Sequence, residues 1–140
     1  MSATPSLKLS LIVAGLLAFS SGFAADKMSR EEYNAAKDRI EAQHKADSEA
    51  CEALKDNAQD VCEKEAKAKE KIARAELAYQ RTGEDRDRME IAEVKAEQEY
   101  AVAKERCDDM SGDQKDACQK EAKAAEEKAK ADMKAQMKTN

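Results

Sequence analysis

The 140-residue chain has no tryptophan, one proline, one histidine and four glycines. Its two phenylalanines (Phe19, Phe23) and its proline (Pro5) all fall within the first 24 residues. Beyond them only eight aliphatic side chains of the Leu, Ile or Val type remain: Ile40, Leu54, Val61, Ile72, Leu77, Ile91, Val94 and Val102. That share is far below the roughly 20 % that accompanies an ordinary core. Burial of so little apolar surface hardly offsets the entropy of ordering the chain, so something besides a core must help hold a fold. The scarce glycines leave no Gly-rich phosphate-binding loop. His44 is the only histidine, reads as a seam or surface residue and is given no catalytic or ligand role. The formal net charge of −5, with both signs mixed along the chain, argues against nucleic-acid binding, which needs a basic stripe, and against docking on anionic lipid. No nucleophile stands beside a base, and carboxylates occur on every helical face. The expectation is a non-enzymatic protein with no cofactor and no metal.

An apolar run stands at the start of the chain. Leu9 to Phe19 (LSLIVAGLLAF) follows Lys8, and Gly22 and Ala24 are the small residues that a signal peptidase needs at −3 and −1. Residues 1–24 are therefore expected to be a signal peptide, cut between Ala24 and Ala25. Spanning a bilayer takes roughly 20 apolar residues, so the run is too short for a comfortable anchor, and no transmembrane segment is expected after cleavage. Lys8 is the only charged residue in the removed segment, so the net charge of 25–140 becomes −6.

The remainder contains itself twice at an offset of 56. Cys51-x10-Cys62 recurs as Cys107-x10-Cys118, and VCEKEAKA (Val61 to Ala68) matches ACQKEAKA (Ala117 to Ala124). Leu54 is replaced by Met110 and His44 by Tyr100. A unit of this size is one supersecondary element used twice. The expected organisation is residues 25–80 as a first helical hairpin, 81–84 as a linker and 85–140 as a second hairpin.

Within each unit Ala, Glu, Lys, Gln, Arg and Met dominate, the strongest helix formers. Glu-to-base pairs recur at i, i+4: Glu41–Lys45, Glu63–Lys67, Glu65–Lys69, Glu70–Arg74 and Glu126–Lys130. Ser29 with Glu32 and Ser111 with Gln114 fit capping boxes, Thr82 with Asp85 is an acidic variant, and Asn57 is a good N-cap. Gly83 and Gly112 fall where helices should end. The expected fold is all-α, with four helices near 29–55, 58–80, 85–109 and 113–137. The apolar stripes are thin: Tyr33, Ala36, Ile40, Cys51 and Leu54 in the first helix, and Cys118, Ala122, Ala125, Ala129 and Met133 in the fourth. Whether the hairpins bundle, stay extended or seek a second chain is open at this level.

Cysteine spacing is the most informative chemistry. On one unbroken helix Cys51 and Cys62 would lie about 16 Å apart, whereas a disulfide needs Cα atoms within about 7 Å. Either the chain turns between them, or each pairs elsewhere. The preferred arrangement clips each hairpin locally, Cys51–Cys62 and Cys107–Cys118, with turns at Asp56–Asn57 and Ser111–Gly112–Asp113. The alternative laces two long antiparallel helices by Cys51–Cys118 and Cys62–Cys107, the manner of twin Cys-x9-Cys hairpins. Gly112 and the caps argue against it. A four-thiolate metal site fits poorly, because zinc pairs are usually spaced two to four residues apart. An even cysteine count in a small exported chain reads as a disulfide framework.

The segments EAKAKEK (Glu65 to Lys71) and EAKAAEEKAKA (Glu121 to Ala131) resemble the Ala/Lys/Glu-rich helical segment of TolA, the cell-envelope linker protein. More of the chain resembles a group of small exported proteobacterial proteins, often labelled TolA-like or cell envelope biogenesis. These share the signal, a start like AADKMSREEY (Ala24 to Tyr33) and repeated C-x10-C-x2-EAK units, here Cys51 to Lys67 and Cys107 to Lys123. The resemblance implies a periplasmic home, a structural or interaction role with an envelope protein as partner, and no established activity. The runner-up expectation is a periplasmic chaperone or stress protein of the Spy and CpxP type, although the LTxxQ motif of that group is missing here. Homo-oligomerisation is open.

Overall fold

The structure is a computed structural model that describes residues 28–138. The expected signal peptide and its cleavage site at Ala24–Ala25 lie outside the described residues. Four helices follow one another: α1 (Arg30–Cys51), α2 (Asp56–Thr82), α3 (Asp85–Arg106) and α4 (Gly112–Lys138). A short 3-10 turn, Cys107–Asp109, follows α3. The fold is all-α, as composition and helix-forming pairs require.

The first helix begins where its capping box predicts. The Ser29 hydroxyl accepts the Glu32 N–H at 3.2 Å, and the Glu32 carboxylate accepts the Ser29 N–H at 2.9 Å. Other boundaries differ from expectation. The first helix stops at Cys51 rather than 55, because the chain must reverse within four residues for Cys51 to meet Cys62. Asn57 is not the N-cap of α2: Lys55 holds that position in extended conformation, and Asp56, at φ 52°, has already turned the chain into the helix. Gly112 likewise opens α4 rather than closing the helix before it, at φ 56°. No reciprocal Ser111–Gln114 bond occurs among the described residues. Gly83 does end its helix, in the left-handed conformation with its N–H on the Tyr79 carbonyl at 2.7 Å. At that corner the Thr82 hydroxyl accepts the Glu84 N–H and donates to the Asp87 carboxylate, so Asp87, not Asp85, completes the turn.

Packing is serial. The first helix packs on α2, α2 on α3 and α3 on α4, with α2–α3 the most extensive interface; among the described residues no non-sequential pair of helices forms an extensive interface. Cross-links such as Lys95–Glu76 and Arg106–Glu65 show α2 and α3 to be antiparallel. The result is an open up-down-up-down array rather than a closed bundle, with both cysteine-bearing turns at the same end. The core is thin: Ala66, Ala68, Ala75 and Leu77 of α2 and Ala96 and Val102 of α3 are buried, with Cys51 and Cys107 at the clipped end. Alanine lets helix axes approach closely but offers little area to remove from water.

Three expected seam positions are exposed. In α4 the face toward α3 is rotated, so that Glu126 is buried while Ala125 and Ala129 are exposed. Leu54 lies beyond its helix and is 42 % exposed. Its counterpart 56 residues on, Met110, is 44 % exposed in the corresponding turn.

Candidate functional site

Two places combine special chemistry with defined geometry: the disulfide turns and the charged seams beside them.

The four cysteines pair locally. Cys51 and Cys62 are bonded with Cα atoms 5.6 Å apart, and Cys107 and Cys118 with Cα atoms 5.8 Å apart. Both fall within the range that a disulfide tolerates. The lacing alternative, Cys51–Cys118 with Cys62–Cys107, is therefore excluded, and so is the four-thiolate metal site, since no described cysteine is free. Among the described residues no group of three His, Cys, Asp or Glu side chains is placed to hold a metal ion. Cys51 and Cys107 are fully buried, which puts one sulfur of each bridge inside the turn it closes.

From each bridge a charged seam runs along the hairpin. In the first, the Arg74 guanidinium lies 3.0 Å from Glu41 of α1 and 2.8 Å from Glu70 on its own helix. Exactly equivalent positions, 56 residues later, carry the same contacts: Lys130 lies 3.1 Å from Glu97 of α3 and 3.0 Å from Glu126. Each base thus joins an i, i+4 carboxylate to a carboxylate on the neighbouring helix. His44 Nδ1 sits 3.6 Å from Glu70, and its other ring nitrogen is 3.5 Å from the Ser48 hydroxyl. At the matching place in the second hairpin, Lys123 lies 5.2 Å from the centroid of the Tyr100 ring and 2.7 Å from Glu126.

The expected i, i+4 pairs are only partly formed. Glu70–Arg74 and Glu126–Lys130 are made. Glu41 instead reaches across to Arg74, Lys69 to Asp47 at 3.4 Å, and Glu65 to Arg106 at 2.5 Å. A side chain on a seam has two reachable partners, one on its own helix and one across the interface, and in these three pairs it meets the one across. Sequence reasoning paired Glu126 with Lys130 but did not place it in a buried seam position. Its signal was available: Glu41, Glu70 and Arg74 each recur with the same charge sign at the offset of 56.

The ionisation consequences run away from neutrality. The Lys123 and Lys130 ammonium groups hold the Glu126 carboxyl below its usual range, and Glu126 in turn raises both lysines. The bond to Glu70, then that to Glu41, raises Arg74. Asp47 is lowered by the Gln43 amide and by Lys69. General acid–base work near pH 7 calls for groups shifted toward that pH. These acids and bases are shifted the other way, which suits them to fixed-charge packing and surface recognition.

Between α1 and α2 these groups border a groove of about 340 Å³ whose apolar floor includes Ile40, Ala66 and Ala73 and whose walls include His44, Asp47 and Lys69. No helix among the described residues is long and apolar enough to cross a membrane. Two disulfides are the mark of a protein matured in an oxidising compartment. No protein-family model, no curated protein and no solved structure matches the chain.

Proposed function

We propose that this chain is an exported, non-enzymatic helical interaction protein of the periplasmic face of the cell envelope. The observation that carries the proposal is the pair of disulfides, each closing a hairpin turn in a fold with very little aliphatic core. Such bridges form and persist where thiols are oxidised, and small domains that lack a sufficient core use them in place of one. The open array supports the same reading, because it displays two outer helices instead of enclosing a cavity. The apolar run at Leu9–Phe19 and the likeness to TolA-like envelope proteins point to the periplasm among oxidising compartments.

Cell fractionation with thiol trapping tests this. The protein is expected in the periplasmic fraction, beginning at Ala25 and with no alkylatable cysteine. A cytoplasmic protein that retains residues 1–24 and four free thiols would overturn it. Crosslinking in intact periplasm followed by mass spectrometry is expected to capture an envelope protein as partner.

A second reading, a periplasmic chaperone, is favoured by one observation: Leu54 and Met110 are both exposed at the same end of the array. Suppression of client aggregation by the purified protein would support it, and loss of that suppression on Leu54→Ser/Met110→Ser substitution would locate the surface. No suppression at all removes this reading.

A further inference from the structure

The open end of the second hairpin is lined by three thioethers. Met89 of α3 and Met133 and Met137 of α4 border one cleft of about 160 Å³, together with Arg88, Ala92 and Gln136. Met133 and Met137 are four residues apart and so lie on one face of their helix. In the first hairpin the same three positions, 56 residues earlier, hold Tyr33, Leu77 and Arg81. There the Arg81 guanidinium stacks 4.5 Å from the centroid of the Tyr33 ring, and Leu77 is buried. That end of the first hairpin thus carries a ring and a cation that stack on one another, beside a buried aliphatic side chain on the same helix as the cation. The second hairpin replaces all three with sulfur.

Packing alone does not call for this replacement. Methionine fills irregular gaps in cores, yet Met137 is 37 % exposed, and Met89 and Met133 are only half-buried. Half of the chain's six methionines meet here.

We infer that this cleft binds a soft monovalent cation, Cu(I), for which Ag(I) is the redox-inert analogue. Thioether sulfur is a neutral, polarisable donor, and such ligands select Cu(I) over the harder divalent ions. It needs no deprotonation, so it serves in an oxidising compartment where the cysteines are tied up in disulfides. At the rim, Arg88 is engaged by Asp85 at 3.2 Å, which offsets its charge near the cleft. No electron transfer is involved: the ion enters and leaves in the same oxidation state.

The test is a titration of the purified protein, disulfides intact, with Ag(I), following the methionine methyl carbons by NMR. One equivalent is expected to shift the methyl signals of Met89, Met133 and Met137 and to leave those of Met28 and Met110 in place. Met89→Leu, Met133→Leu and Met137→Leu preserve shape and apolar character. Each is expected to weaken Ag(I) binding at least tenfold, and the triple variant to abolish it, while helical circular dichroism is unchanged. Zn(II) is expected to leave all methionine signals in place. Shifts spread evenly over all the methionines would overturn the inference. So would binding that survives the triple substitution, or binding that is lost in His44→Ala.

Discussion

Asp56 and Gly112 occupy the same turn in the two hairpins and share one backbone conformation, with φ at 52° and 56°. Each is the first residue of the helix that follows its disulfide turn. Left-handed backbone costs an L-residue roughly 1–2 kcal/mol, least for Asp and Asn and nothing comparable for glycine. The turn is thus imposed by the fold and filled by glycine in one copy and by the more tolerant aspartate in the other.

Gly112→Ala is expected to destabilise the protein by about 1 kcal/mol. A Cβ there meets nothing within 4 Å, so the whole effect is backbone conformation and not a clash. Gly112→Asp should cost less than Gly112→Ala, because aspartate already serves in the matching turn. Urea midpoints of the two variants decide the order.

Loss of one disulfide, as in Cys51→Ala/Cys62→Ala, is expected to remove about 3 kcal/mol, the loop-entropy value for a ring of this length. The effect should be uneven. The first helix packs only on α2, whereas α2 and α3 share the largest interface and most of the buried side chains. Hydrogen exchange in this variant should show α1 amides losing protection before those of α2 and α3. The matching Cys107→Ala/Cys118→Ala variant should loosen α4 first.

Stability should fall in acid. Folding holds the Glu126 carboxyl below its ordinary 4.5, through Lys123 first and Lys130 second. A carboxyl lowered in this way favours the folded state above its unfolded pKa, and the contribution disappears as pH falls through the folded value. Asp87 and Asp108, lowered below 3.8 by Thr82 and Lys115 respectively, act in the same direction. The melting midpoint is expected to be level near neutrality and to drop below about pH 5. Glu126→Gln should melt lower than the wild type near pH 7 and show a shallower acid dependence.

Arg74→Lys should be nearly neutral, since Lys130 performs the same bridging between Glu97 and Glu126. Arg74→Ala should lose less than about 1 kcal/mol, as expected for a partly solvated ion pair. That loss should shrink in 1 M salt, where exposed charges are screened within about 3 Å. Denaturation curves at low and high salt measure both.

Much of the architecture was legible in the chain. Helix formers without strand-forming runs specify an all-α fold, and the ten-residue gap between cysteines demands a reversal if they are to pair locally. Ser29 with Glu32 marks a helix start by purely local bonds, which is why the structure reproduces it. Asn57 failed as a cap because the competing determinant, the left-handed turn at Asp56, follows from where the next helix must pack. Ala125 and Ala129 failed as seam residues for a related reason. With alanine on several faces, composition does not distinguish the face that meets α3, and the ion pairs of Glu126 and Lys130 settle its rotation.

The sequence by itself determined the helices, the hairpin period of 56 and the rule that a turn must separate each pair of cysteines, since all of these rest on local propensity and chain geometry. Only the tertiary structure decided which cysteines bond, that the helices form an open serial array, and which charges meet across its seams. Those outcomes depend on the distance and orientation of groups far apart along the chain. In a protein with so few large apolar side chains, no hydrophobic pattern announces them in advance.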